Sequence, residues 1–187
     1  MFNLKISFSK RSGVFFGVLI LLCCQVFAED RVPLKFDHEV RSCASQDQIW
    51  DDLQRALVDS SDSEIWPSEL SSVEGRAELG AVIYVTYGDG WFAPTYSYEL
   101  QEFSLGAFRY VAREDHPFIG GARVTVEPLE DGLGSVLKWD GLYWLKKTDH
   151  RGRRFFNSFS TNFFAQLNQN LKSFESKICN PSNANKS

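Results

Sequence analysis

The spacing of hydrophobic residues along this chain changes period three times, and each change marks a new kind of element. Leu34, Phe36, His38 and Val40 alternate with Lys35, Asp37, Glu39 and Arg41, the period of two expected of a strand with one buried face. Ser45 then stands three residues before Gln48, a capping-box spacing, and Ile49, Trp50, Leu53, Ala56 and Leu57 follow at helical intervals. The polar stretch from Asp59 to Glu64 ends that helix. Ile65-Trp66-Pro67 marks a short turn, or a second short helix closed by its proline.

Period two returns at Leu70. Strands are predicted over Leu70–Leu79 and Ala81–Tyr87, with Gly80 between them and Gly88-Asp89-Gly90 as a tight connection. Tyr96, Tyr98 and Leu100 share one face of the next strand, Phe108, Tyr110 and Ala112 one face of the next, then Ala122, Val124 and Val126. Glu130-Asp131-Gly132 turns the chain into a last strand carrying Leu137, Trp139, Gly141 and Tyr143 on one side. Six successive antiparallel strands, each with one apolar face, follow from this pattern. Phe156, Phe159, Phe163, Leu167, Leu171, Phe174 and Ile178 then recur at steps of three and four, the signature of one long amphipathic helix. Residues 180–187 are polar and read as a tail. No internal repeat or linker interrupts residues 29–187, so one domain is expected.

The N-terminus reads differently. Lys5, Lys10 and Arg11 precede the apolar run Gly13–Cys24, and Val26 and Ala28 sit at the −3 and −1 positions of a cut before Glu29. This is the anatomy of a secretory signal peptide, too short for a transmembrane span of about 20 residues. It predicts a periplasmic or secreted protein cleaved after Ala28, with no later segment apolar enough to span a membrane.

Cleavage takes the formal charge from −4 to −7, which argues against a nucleic-acid partner, since phosphate neutralisation needs clustered cations. It also leaves two cysteines, Cys43 and Cys179. In an oxidising compartment a bridge between them is favoured over two buried thiols. Neither has a His or Cys at metal-ligand spacing, and no GxSxG, HExxH or Gly-rich phosphate loop is present, so neither metal nor cofactor is expected. The chain has 16 Phe, 6 Tyr and 5 Trp against one Met, an aromatic excess that composition does not explain.

One strand, one or two short helices, six antiparallel strands and a long helix make an α+β protein whose curved sheet has one large element to cover its apolar face. The chain resembles the START-like (SRPBCC) superfamily, and within it the polyketide cyclase/dehydrase-like branch. Ile65-Trp66-Pro67, Val73-Glu74-Gly75 leading to Leu79-Gly80, Val124-Thr125-Val126-Glu127-Pro128 leading to Gly132, and Gly134-Ser135-Val136-Leu137-Lys138-Trp139 carry the likeness. The resemblance implies a helix-grip fold of about seven strands wrapped around the C-terminal helix, with a cavity between them for lipid-like, polyketide-like or other apolar ligands.

Alternation then assigns the cavity-facing side chains: Phe36, His38, Tyr84, Tyr96, Tyr98, Phe108, Tyr110, Trp139 and Tyr143 from the strands, with Phe156, Phe159 and Phe163 opposite. A close-packed aromatic core would show the same stripe, but several buried tyrosine hydroxyls need polar partners that a cavity supplies more easily. His38 is the candidate acid–base residue, although a lone His on an apolar face also reads as a hydrogen-bonded core residue. His116 precedes Pro117 in a loop of the kind that rims pockets, and Lys146, Lys147, His150, Arg151, Arg153 and Arg154 form a basic run before the last helix. Asp51 and Asp52 read as solubilising charge on the exposed face of the first helix. The leading expectation is a binding protein for a small apolar or amphiphilic ligand. The alternatives are a cyclase- or dehydratase-type enzyme using His38 with a tyrosine, and an interaction domain; oligomeric state is left open.

Overall fold

A computed structural model describes residues 33–88, 91–146 and 150–179. The proposed signal peptide and the 180–187 tail lie outside the described residues. Strand β1 (Leu34–Ser42) is followed by helix α1 (Gln46–Val58), then β2 (Ser71–Glu74), β3 (Val82–Tyr87), β4 (Thr95–Ser104), β5 (Ala107–Ala112), β6 (Phe118–Pro128) and β7 (Ser135–Leu145). Helix α2 (His150–Ile178) closes the chain. The seven strands form one antiparallel sheet in the order β1-β7-β6-β5-β4-β3-β2. Neighbours in sequence are thus neighbours in space except β1, which returns to pair with β7 from Leu34↔Tyr143 to Ser42↔Ser135. The sheet curls around α2, a helix-grip architecture.

Two glycines permit the tight inner surface. Gly141 lies opposite Phe36 in the β1–β7 ladder, and a Cβ there would run into the Phe36 ring. Gly120 in β6 takes a φ of 120° with its Cα side against Leu142, a conformation and a space closed to other residues.

Helix α1 starts where the capping box placed it: Ser45 Oγ accepts from Gln48 N, and Gln48 Oε1 accepts from Ser45 N. Its apolar stripe is fully buried, but so is Asp52, at 0% exposure, against the expectation of a solvated face. The reason is the loop that follows. Asp52 accepts from Ser63 Oγ at 2.5 Å, Glu64 N at 3.0 Å, Ile65 N at 3.1 Å and Arg55 at 2.8 Å. This clamps the turn 63–67, which is no second helix beyond a short 3-10 turn at Ser60–Asp62. Asn170 of α2 donates to the carbonyls of Ile65 and Trp66 at 3.3 Å each, holding the same turn from the other side.

β2 is shorter than the predicted Leu70–Leu79, because beyond Glu74 the chain bonds to the end of α1: Gly75 N donates to Val58 O. A disulfide joins Cys43, just after β1, to Cys179, just after α2, with Cα atoms 6.3 Å apart. Along α2, Phe156, Phe163, Leu167, Leu171 and Phe174 are buried, while Ile178 is largely exposed. No helix among the described residues is long and apolar enough to cross a membrane.

Candidate ligand cavity

The first half of α2 and the concave sheet face enclose a cavity of about 80 Å³. Phe36 of β1, Tyr96 and Tyr98 of β4, Phe108 and Tyr110 of β5, and Trp139 and Tyr143 of β7 line it from the sheet. Phe156, Phe159 and Phe163 line it from α2. The rings are mutually packed: Trp139 and Trp66 each meet Phe163 edge-on with centroids 5.2 Å apart, and Tyr143 meets Phe156 at 5.5 Å.

Two expected members lie elsewhere. Tyr84 is 52% exposed on the outer face of β3. Pairing of Val73 with Val85 sets the register and turns Ile83, Val85 and Tyr87 inward. His38 is outside the lining: its ring stacks on Phe164 at 4.3 Å, and its Nε2 donates to Asn168 Oδ1 at 2.9 Å. It is a satisfied inter-element hydrogen bond rather than a cavity group.

Sequence reasoning passed over Tyr87, Phe118, Phe155, Phe164, Trp66 and Ser71 as lining residues, and His116 occupies the place expected for His38. His116 is only 2% exposed. Its loop is pinned by Asp115, which accepts from Ser97 N at 2.8 Å and Ser97 Oγ at 2.6 Å. The Phe118 backbone N–H donates to His116 Nδ1 at 3.0 Å, so the ring proton sits on Nε2. Nε2 therefore donates to the Tyr98 hydroxyl at 2.6 Å, and the Tyr98 and Tyr87 hydroxyls share a short hydrogen bond. A second chain starts at Trp139, whose Nε1 donates to the Tyr110 hydroxyl at 3.1 Å; Tyr110 is in turn bonded to Tyr143. Each chain ends with one hydroxyl proton to give.

Among the described residues no Asp, Glu, Lys or Arg lines the cavity. Burial raises the hydroxyls of Tyr87, Tyr98, Tyr110 and Tyr143 above the ordinary phenol value. Burial also pushes the His116 imidazole down to about 4, against the pull of the Asp115 carboxylate and with a smaller push from Lys146. The site is thus neutral, apolar and supplied with hydrogen-bond donors.

The His116 value carries a stability prediction. Its folded pKa lies below that of the unfolded chain, about 6.5, so the unfolded state binds more protons between those limits. Stability is complete above pH 6.5 and falls as the pH drops toward 4, by about 2 kcal/mol at pH 5. Urea unfolding at pH 7 and pH 5 should show this loss in the wild type and a smaller one in His116→Gln. An equal loss in both proteins would refute the assignment.

The enclosed volume also limits what can enter without movement. It would hold two or three waters at about 30 Å³ each, whereas drug-sized ligands occupy several hundred Å³. A larger occupant requires rings to turn, and the rings nearest solvent are Phe155, which is 45% exposed, and Phe159. Phe155 and Phe159 stack at 5.9 Å, and Phe159 meets Tyr87 edge-on at 4.9 Å. These side chains stand on the first turns of α2.

Sheet order, the long closing helix and a cavity between them define a helix-grip fold of the Bet v1/SRPBCC type. Solved structures share it. Norcoclaurine synthase from Thalictrum flavum, in complex with dopamine and hydroxybenzaldehyde, is 16% identical over 92% of this chain and 96% of its own, with a TM-score of 0.55. An aromatase/cyclase from Streptomyces sp. R1128 is 16% identical, over 79% of this chain and 96% of its own, with a TM-score of 0.60. Ara h 8.0201 is 14% identical over 76% of this chain and 99% of its own, with a TM-score of 0.53. No protein-family model matches the sequence, and no curated protein matches it.

Proposed function

We propose that this chain is a secreted or periplasmic carrier that holds a small, uncharged apolar or amphiphilic molecule between its sheet and C-terminal helix. The observation that carries this reading is the cavity wall: mostly aromatic, without charged side chains among the described residues, and provided with buried hydroxyls. The signal-peptide pattern at residues 1–28 and the Cys43–Cys179 disulfide support an oxidising compartment. The folds of norcoclaurine synthase and the Streptomyces aromatase/cyclase support a pocket used for small aromatic molecules. The carrier reading places no acid–base role on His38, whose ring is engaged with Asn168 and Phe164.

The uncharged fluorophore 1-aminoanthracene tests the carrier reading. Burying about 300 Å² of its apolar surface is worth about 7 kcal/mol, so saturable one-to-one binding with a Kd on the order of micromolar is expected. Native mass spectrometry of the purified protein should also show a chain beginning at Glu29, with a non-covalent small-molecule adduct. Absence of both saturable binding and any extractable ligand would overturn the proposal.

A further inference from the structure

We infer that the occupant of this cavity presents a neutral oxygen acceptor, such as a ketone carbonyl, to the hydroxyl of Tyr87. This deepens the carrier reading and rests on it. Three observations lead to it.

The hydrogen-bond chain His116–Tyr98–Tyr87 has a fixed direction at its histidine end. The Phe118 amide occupies His116 Nδ1, so Nε2–H is given to Tyr98. The Tyr98–Tyr87 bond uses one of the two hydroxyl protons, whichever oxygen donates, and one proton of the pair is left over at a cavity wall. Among the described residues the Tyr87 hydroxyl has Tyr98 as its hydrogen-bond partner, and it stands at the free end of the chain.

Ser71 lies directly across the β2–β3 ladder from Tyr87 and on the same face. It is 1% exposed, lines the cavity, and its Oγ is a buried polar atom with no hydrogen-bond partner among the described residues. Buried hydroxyls are ordinarily bonded, and leaving one unpaired is costly. One stretch of wall therefore holds two hydroxyl protons without an acceptor, one on the Tyr87–Tyr98 pair and one on Ser71.

Among the described residues the walls supply no charge to answer them. A carboxylate or phosphate would enter without a cation and lose its hydration. An occupant with only apolar atoms would keep both protons unpaired. A neutral carbonyl oxygen accepts from Tyr87 without bringing charge into the site, and its hydrocarbon portion meets the surrounding rings.

A matched pair of probes isolates the acceptor: 2-acetylnaphthalene, and 2-isopropenylnaphthalene, in which a CH₂ replaces the oxygen. One buried hydrogen bond predicts that the full chain binds the ketone about tenfold more tightly than the alkene. Tyr87→Phe should bring the ratio below about threefold. In the wild type, the infrared carbonyl stretch of bound 2-acetylnaphthalene should fall below its value in hexane, a readout that needs no variant. Equal binding of both probes by the wild type overturns the inference and leaves the carrier reading standing. A ketone preference that persists in Tyr87→Phe, or an unshifted carbonyl stretch, also overturns it. Failure of the chain to bind either probe overturns the carrier reading and this inference together.

Discussion

Replacing Cys43 and Cys179 together by alanine is expected to lower the unfolding free energy by about 4–5 kcal/mol. The bridge spans 136 residues, and in the chain-entropy model closing a loop of that length removes about 5 kcal/mol of denatured-state freedom. Its location sharpens the expectation. Cys43 follows β1, the strand that returns to close the sheet on β7, and Cys179 follows the last turn of α2. The bond therefore ties the start of the described chain to the end of the helix that covers the sheet. Guanidinium unfolding of the oxidised protein, the reduced protein and the double variant should place the last two together and well below the first. A double variant within about 1 kcal/mol of the oxidised protein would show that the unfolded chain is already restrained in some other way.

The second large effect is expected at Asp52, where Asp52→Ala should cost about 3–4 kcal/mol. Deleting one partner of a buried, charge-assisted network leaves the others unpaired. Here the abandoned groups are Ser63 Oγ, the backbone N–H groups of Glu64 and Ile65, and one end of Arg55. Asp52→Asn keeps the volume but offers one acceptor oxygen instead of two, so it should lose an intermediate amount. The consequence reaches the cavity. Asp52 holds the turn that presents Trp66, and Trp66 lines the cavity with its ring against Trp139 and Phe163. Urea denaturation reads the stability loss, and the 1-aminoanthracene titration reads weakened binding in Asp52→Ala under conditions where it is still folded. Equal stability of Asp52→Ala and the wild type would show that water replaces the carboxylate without penalty.

Asp52 also shows what a closer reading of one helix yields. It stands three residues after Ile49 and four before Ala56, both buried, so helical spacing alone puts it on the inner face. Charge type argued for solvent, and geometry won because the 63–65 loop supplies donors. Tyr84 went wrong for a different reason. Val82 and Tyr84 on one face of β3, and Ile83, Val85 and Tyr87 on the other, are all apolar or aromatic, so alternation has no preferred phase. The pairing of Val73 with Val85 decides it. β6 and β7 offered no such ambiguity, because Arg123, Thr125 and Glu127 or Lys138 and Asp140 mark their outer faces.

The sequence by itself determined the element order, the curled antiparallel sheet, the long closing helix and ten of the residues that line the cavity. Each of these follows from local periodicity, which is a property of neighbouring residues. Tertiary structure alone decided which imidazole faces the cavity and which way its hydrogen bonds run. His38 and His116 are both single polar residues in apolar surroundings. They are told apart by partners distant in the chain: Asn168 for His38, and Tyr98 together with the Asp115–Ser97 clamp for His116. A hydrogen bond's direction depends on what stands at its other end, and only the folded chain brings that end into place.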